Sequence, residues 1–218
     1  MLKPTSKKIT NYFMYYGWTI IVMGLVFFAV FTLILSSINK IKDNQKFSIF
    51  FATYGLTEKK YKEELKEHLK EDGVLEVNYY SFYLTDSNIG NLFDSYGYSA
   101  EISIVSGTDV KDMELGITKT YLPLTDELLN DIGVNEKYEV YTYKNVNYAI
   151  KIHDKNNEEY NNNFSYDEWI KFKNEKGDTD DFYLLLSLHS NNFGEYSKNN
   201  RGDSGIKGVK YFIDENTK

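Results

Sequence analysis

Residues 47–105 read FSIFFATYGLTEKKYKEELKEHLKEDGVLEVNYYSFYLTDSNIGNLFDSYGYSAEISIV. Phe47 to Thr53, FSIFFAT, is a short apolar run of β-forming residues, ended by Tyr54-Gly55. A helical pattern follows, with Thr57 as its N-cap, Tyr61, Leu65 and Leu69 on one stripe, and Gly73 as its stop. Val74 to Leu84 (VLEVNYYSFYL) reads as a second strand. Ser87 to Ser95 reads as a short helix with Ile89, Leu92 and Phe93 inward, and Ala100 to Val105 (AEISIV) as a third strand. Strands alternating with helices predict an α/β domain with a parallel or mixed sheet. Ligands of such sheets sit beyond the carboxyl ends of the strands. Here those ends are Tyr54-Gly55, Tyr83 to Asp86, and Ser106 to Asp109.

Downstream the alternation breaks. Leu124 to Leu129 after Pro123 predicts a short helix. Tyr138 to Ile152, YEVYTYKNVNYAIKI, predicts a hairpin turning near Lys144-Asn145. Residues 154–163 read as a polar loop and Tyr166 to Asn174 as a helix capped by Ser165. Phe182 to Leu188 (FYLLLSL) is a continuous apolar run, the pattern of a buried strand. His189 to Asp203 is polar, and Ser204 to Ile213 is helical despite two glycines.

Upstream, no residue between Lys8 and Lys40 is charged. Residues 15–38 predict a transmembrane helix, since about 20 apolar residues cross the hydrocarbon core. Tyr12, Tyr15, Tyr16 and Trp18 gather at one end, where an interfacial belt belongs. The run outlasts a signal-peptide core and lacks a small-residue cleavage pattern, so the helix reads as a retained anchor. The expected organisation is a cytoplasmic tail over 1–14, the helix over 15–38, a linker over 39–46 and an extracytoplasmic domain over 47–218 at the cell membrane. Lysines flank the helix almost equally, so the outward placement rests on layout and acidity more than on the positive-inside rule.

Residues 47–218 hold 19 basic and 31 acidic residues, a net charge of −12. Such a domain is repelled by nucleic acid and by anionic headgroups, and no nucleic-acid partner is expected. The chain has no Cys, which removes disulfides, thiolate metal sites, a cysteine nucleophile and a lipidated N-terminus. An exported domain without Cys fits a Gram-positive or wall-less bacterium. Twenty Tyr and a single Arg, Arg201, mark an AT-rich coding genome.

No catalytic signature is present: there is no GxSxG, HExxH, P-loop or GxGxxG. His68, His153 and His189 share no motif, and solvation or core packing accounts for each. Asp178-Thr179-Asp180 has a D-x-D spacing but precedes a strand instead of following one. Asp154 to Ser165 lacks the central Gly and final acid of a calcium loop. Arg201-Gly202-Asp203 and the sequon Asn163-Phe164-Ser165 are short matches of the kind chance supplies. The expectation is therefore a noncatalytic protein with no cofactor and no metal. Strand-end hydroxyls, glycines and tyrosines are the candidate ligand contacts.

The segments AEISIVSGTD, YLPLTDELL, YEVYTYKNVNYAIKI and YLLLSLHSNNFGEYS through SGIKGVKYFI together resemble extracellular solute-binding proteins of bacterial ABC importers. The resemblance implies a reduced periplasmic-binding-protein-like fold, a small solute as ligand and an ABC transporter permease as partner. Candidate contacts are Tyr54, Ser106, Thr108, Tyr143 and His189. The chain departs from that family by lacking the length of a second lobe and by carrying a membrane helix in place of a lipidated Cys. The other function classes open at this point are a scaffold of a cell-surface complex and an extracytoplasmic enzyme.

Overall fold

The run of apolar residues in FSIFFAT demands burial on both sides of a strand, and the computed structural model of the chain supplies it. The structure describes residues 6–38, 40–57, 60–85, 88–112, 114–198 and 202–218. They form two compact units, Met1–Ile41 and Lys42–Lys218.

The first unit is one helix, α1 (Ser6–Ile38). Met14–Ser36 within it is long and apolar enough to cross a membrane and has none of its surface buried by protein. At about 1.5 Å per residue this stretch spans the roughly 30 Å hydrocarbon core of a bilayer. The helix runs through residues 6–14, the stretch expected as a tail, without a break.

The second unit is an α/β domain on a six-stranded mixed sheet. Its first half contains β1 (Lys46–Thr53), α2 (Lys60–His68), β2 (Glu76–Tyr83), α3 (Ile89–Leu92) and β3 (Ile102–Ser106). Next come α4 (Gly107–Asp112), α5 (Glu114–Thr120), α6 (Asp126–Asp131), β4 (Val140–Tyr143) and β5 (Val146–His153). The chain ends with α7 (Glu158–Asn161), β6 (Phe182–Leu186) and α8 (Ser204–Asp214). The strand order is β2-β1-β3-β6-β5-β4. β1 is parallel to both β2 and β3, and the other pairs are antiparallel.

Crossovers of one hand that move in opposite directions along a sheet place their helices on opposite faces. The β1-to-β2 crossover carries α2, and Leu65 within it and Leu69 just after it pack with Phe47, Ile49 and Phe51. The same face holds Val209, Phe212 and Ile213 of α8. The β2-to-β3 crossover packs Ile89 and Phe93 against the other face, beside Phe50 and Ala52. That second face is completed by Val110 of α4 and Ile117 of α5.

The turn expected at Lys144-Asn145 is present. Both residues have positive φ (50° and 65°), the signature of the type I′ turn that suits a two-residue hairpin. Instead of opening a second lobe, the hairpin extends the edge of the same sheet.

Three expectations change. The strand end expected over Ser106 to Asp109 is the last residue of β3 followed directly by the first turn of α4, and α5 comes next. Residues 154–163 contain α7, whose N-cap Asn157 accepts a hydrogen bond from Tyr160 N. The helix expected over 166–174 is only a 3-10 turn, Tyr166–Glu168. Beyond it the backbone leaves helical geometry to pair with the chain after β1, through Tyr54 N to Lys171 O and Lys171 N to Gly55 O, each 2.9 Å. Those bonds and the burial of Trp169, Ile170 and Phe172 outweigh local helix propensity. The Thr57 cap concerns the turn containing residues 58–59, and Arg201 of the Arg-Gly-Asp match also lies outside the described residues.

At the amino end of β3 sits Glu101, only 4% exposed. Its carboxylate accepts hydrogen bonds from Ser48 N (2.6 Å), Ser190 Oγ (2.8 Å) and Asn192 Nδ2 (2.8 Å). Asn192 also donates to Lys46 O, so the group ties the chain after β6 to the start of β1. Burial drives the Glu101 pKa up to about 7, against the pull of those hydrogen bonds. The native state therefore binds this proton more tightly than the unfolded chain, and stability falls as pH rises from 4.5 toward about 7. Glu101→Gln should remove that slope, worth about 3 kcal/mol across the window, in denaturant titrations of the detergent-solubilised chain at stepped pH. An unchanged slope would refute the assignment.

Gly208 lets α8 lie close to β1, and Gly205 lets it lie against the chain after β6. A Cβ on Gly208 would overlap the Phe47 ring, and one on Gly205 would meet Asn192 O at 2.6 Å. Gly208→Ala should cost about 1–3 kcal/mol by overpacking. Gly116→Ala in α5, whose Cβ would meet nothing within 4 Å, should instead leave stability equal or slightly higher. Equal effects from the two changes would contradict this packing.

Candidate functional site

The three parallel strands end together, so Thr53-Tyr54, Tyr83 and Ser106 share one edge of the sheet. The loops leaving β1 and β3 diverge to opposite faces there, which makes this edge the topological switch point. The start of β6 lies at the same edge because β6 is antiparallel to β3, with Ser106 opposite Phe182.

A polar network closes the gap between these elements. Ser106 Oγ donates to Asp109 Oδ2 at 2.7 Å, and Asp109 N donates back to Ser106 Oγ at 3.1 Å. Thr108 donates to Asp180 Oδ2 from both its hydroxyl (2.8 Å) and its backbone (3.2 Å). Lys155 Nζ holds the other Asp180 oxygen at 3.3 Å. Burial pushes the Asp180 pKa up, but the hydrogen bonds from Thr108, Asp181 N and Lys155 outweigh it and leave the group below the usual carboxylate range. The D-x-D aspartate is thus a structural stitch between α4 and β6. Among the described residues no group of three or more His, Cys, Asp and Glu is placed to hold a metal ion.

Beside the network opens a crevice of about 610 Å3, lined by Tyr54, Tyr83, Thr85, Lys171, Lys173 and Asp178, among others. Partial burial raises the Tyr54 phenol pKa, with Asp180, Asp178 and Asp109 adding to the shift. The phenol is therefore a neutral hydrogen-bonding group at physiological pH. Lys176 joins Lys171 and Lys173 on the rim, beside the two acids Glu175 and Asp178, which leaves the lining with one excess positive charge in a domain of net charge −12. These lysines were illegible as site residues. They lie in a stretch read as a helix and the loop after it, and the backbone pairing with Tyr54-Gly55 puts them at the strand ends.

Of the five candidate contacts, Tyr54, Ser106 and Thr108 stand at this edge. Tyr143 and His189 do not. β5 runs parallel to β3 through their shared partner β6, so the β4–β5 turn lies at the opposite edge. His189 follows the far end of β6, where its ring stacks on Tyr98 at 4.2 Å and its Nε2 is 2.9 Å from Lys119 O. The structure thus brings three of the five to one edge of the sheet, and of these Tyr54 lines the crevice. His68 stacks on Tyr211 at 4.4 Å, on the α2 and α8 side of the domain.

His153, at the crevice end of β5, is 4% exposed and stacks on Phe172 at 4.5 Å. Thr179 Oγ1 gives its proton to Phe172 O at 2.7 Å, so His153 Nε2 is assigned as the donor to Oγ1 at 3.3 Å. Its Nδ1 is then a buried acceptor with no partner. Desolvation lowers the His153 pKa below 6.5, so its contribution to stability is present above that pH and is lost as pH falls through the lowered value. This opposes the Glu101 slope in sign.

No protein-family model matches the chain, and no curated protein or solved structure matches it either. What the fold defines is an α/β domain with an open strand-end crevice, preceded by a helix long and apolar enough to cross a membrane.

The Thr108–Asp180 stitch is testable by a double-mutant cycle. Thr108→Val and Asp180→Asn should each cost about 1–2 kcal/mol, with a coupling energy of about 1 kcal/mol. Additive losses in denaturant titrations would mean that the two groups do not depend on each other.

Proposed function

We propose that the chain is a noncatalytic, membrane-tethered recognition protein whose domain stands outside the cytoplasm and takes up a small polar solute at the strand-end crevice. In this reading it acts as a single lobe of a solute-binding protein, and an ABC transporter permease is its partner in the membrane. The observation that carries the reading is the crevice itself. It sits at the switch point, where backbone and side-chain polar groups converge in sheets of this kind. It combines two phenols for stacking with three lysines for an anionic or hydroxyl-rich group.

The noncatalytic character is supported by the engagement of the hydroxyls and carboxylates at the same edge. Ser106 is paired with Asp109, and Thr108 with Asp180. Neither hydroxyl has a histidine base beside it in these pairings, as an activated nucleophile needs. A single lobe without a facing lobe leaves one side of the ligand in water, so the affinity expected is modest.

Melting curves of the full chain in detergent micelles test the proposal against sugars, amino acids, short peptides and phosphorylated metabolites. A solute that binds raises the melting temperature with concentration, by an amount equivalent to about 2.7 kcal/mol at a hundredfold excess over Kd. Tyr54→Ala with Lys171→Ala should abolish the shift. A flat response to all four classes would sink the reading, and so would a shift that survives in the double variant.

A further inference from the structure

The sheet face opposite α2 and α8 carries a second cavity of about 510 Å3 that shares no lining residue with the crevice. Its floor is Phe50 and Ala52 of β1 with Val105 of β3, and its walls come from the segment after β2 and from α5. The physical cause is a shortage of chain. Among the described residues, the β2-to-β3 crossover covers this face with the four helical residues of α3 and a five-residue π turn, Phe93–Gly97. Helical segments of π geometry occur frequently at functional sites. Gly90 and Gly116 stand in the walls with open space beside them, and a Cβ on either would meet no atom within 4 Å.

The lining is apolar and aromatic, with Phe50, Phe93, Tyr98 and Tyr121. Its charged members are Asp94 and Asp109, and among the described residues no Lys, Arg or His lines it. The volume lies in the range of small-molecule sites, about 300–1,000 Å3. An apolar wall bearing only negative charge selects against anions and gains from cations, through both the carboxylates and the aromatic faces. The net charge of −12 over residues 47–218 draws cations toward the domain from solution.

We propose that this cavity binds a small organic cation, an aromatic or aliphatic body carrying a primary ammonium group. The body packs on Phe93 and Tyr98, the lining rings with open surface, and the ammonium pairs with the carboxylate of Asp94, with the Ser106-bound Asp109 adding negative potential. The site shares no lining residue with the strand-end crevice and does not require that reading.

Three probes of matched size separate the contributions: 2-phenylethylamine as cation, 2-phenylethanol as neutral analogue and 3-phenylpropionate as anion. Each is titrated into the full chain in detergent micelles, with empty micelles as the blank. The amine should bind about tenfold more tightly than the alcohol, and the anion should not bind. Asp94→Asn, at an exposed position, should reduce the preference for the amine over the alcohol. Gly116→Leu should fill the cavity and abolish amine binding while keeping the wild-type melting temperature. If Gly116→Leu fails to fold, Gly90→Leu makes the same test from the other wall. The proposal is overturned if the amine does not bind, if all three probes bind alike, or if binding persists in the filled variant.

Discussion

The central strand β1 constrains everything around it. From Ile49 to Thr53 all of its side chains are buried, alternating between the two faces of the sheet. Parallel strands on either side of it oblige the chain to cover both faces, because a parallel sheet with one wet face does not persist. α2 and α8 cover one face with a tight seam made possible by the close approach of Gly208 to Phe47. The other face receives only short helices. One consequence of this shortage is the apolar cavity over Phe50 and Ala52.

The polar groups buried at the two ends of the sheet have a different task. At the amino end Glu101 gathers three donors from distant segments. At the carboxyl end Asp180 gathers Thr108 and Lys155. Each carboxylate joins strands that the sheet ladder alone leaves separate. Burial sets their opposite pKa shifts. Glu101 is fully buried and is raised despite its three hydrogen bonds, whereas Asp180 is partly exposed and is lowered by hydrogen bonds from Thr108, Asp181 N and Lys155.

Much of this fold is legible in the chain. The strands at 47–53, 74–84, 100–105 and 182–188 announce themselves by runs of β-branched and aromatic residues, and each is found within a few residues of its expected bounds. The hairpin follows from two residues that tolerate positive φ. Tyr54, Ser106 and Thr108 come from applying the strand-end rule to those strands. Lys171 and Lys173 escape the same rule, because their place at the edge depends on hydrogen bonds to Tyr54 and Gly55, more than a hundred residues earlier. Tyr143 and His189 were grouped with the others because sequence gives the existence of β4, β5 and β6 but not their directions.

By itself the sequence determined what is local: the uncharged stretch long enough for a bilayer, the acidic domain, the period of each strand and the chemistry excluded by the lack of Cys. Only the tertiary structure decided the antiparallel insertion of β6 beside β3, the conversion of 166–174 from helix to paired loop, and the glycine-walled cavity under α5. The physical reason is the range of the interactions. Periodicity and propensity act within a turn or two of chain. Strand order, strand direction and the space left between short helices are set by contacts among segments far apart in sequence, where burial of the whole sheet outweighs any local preference.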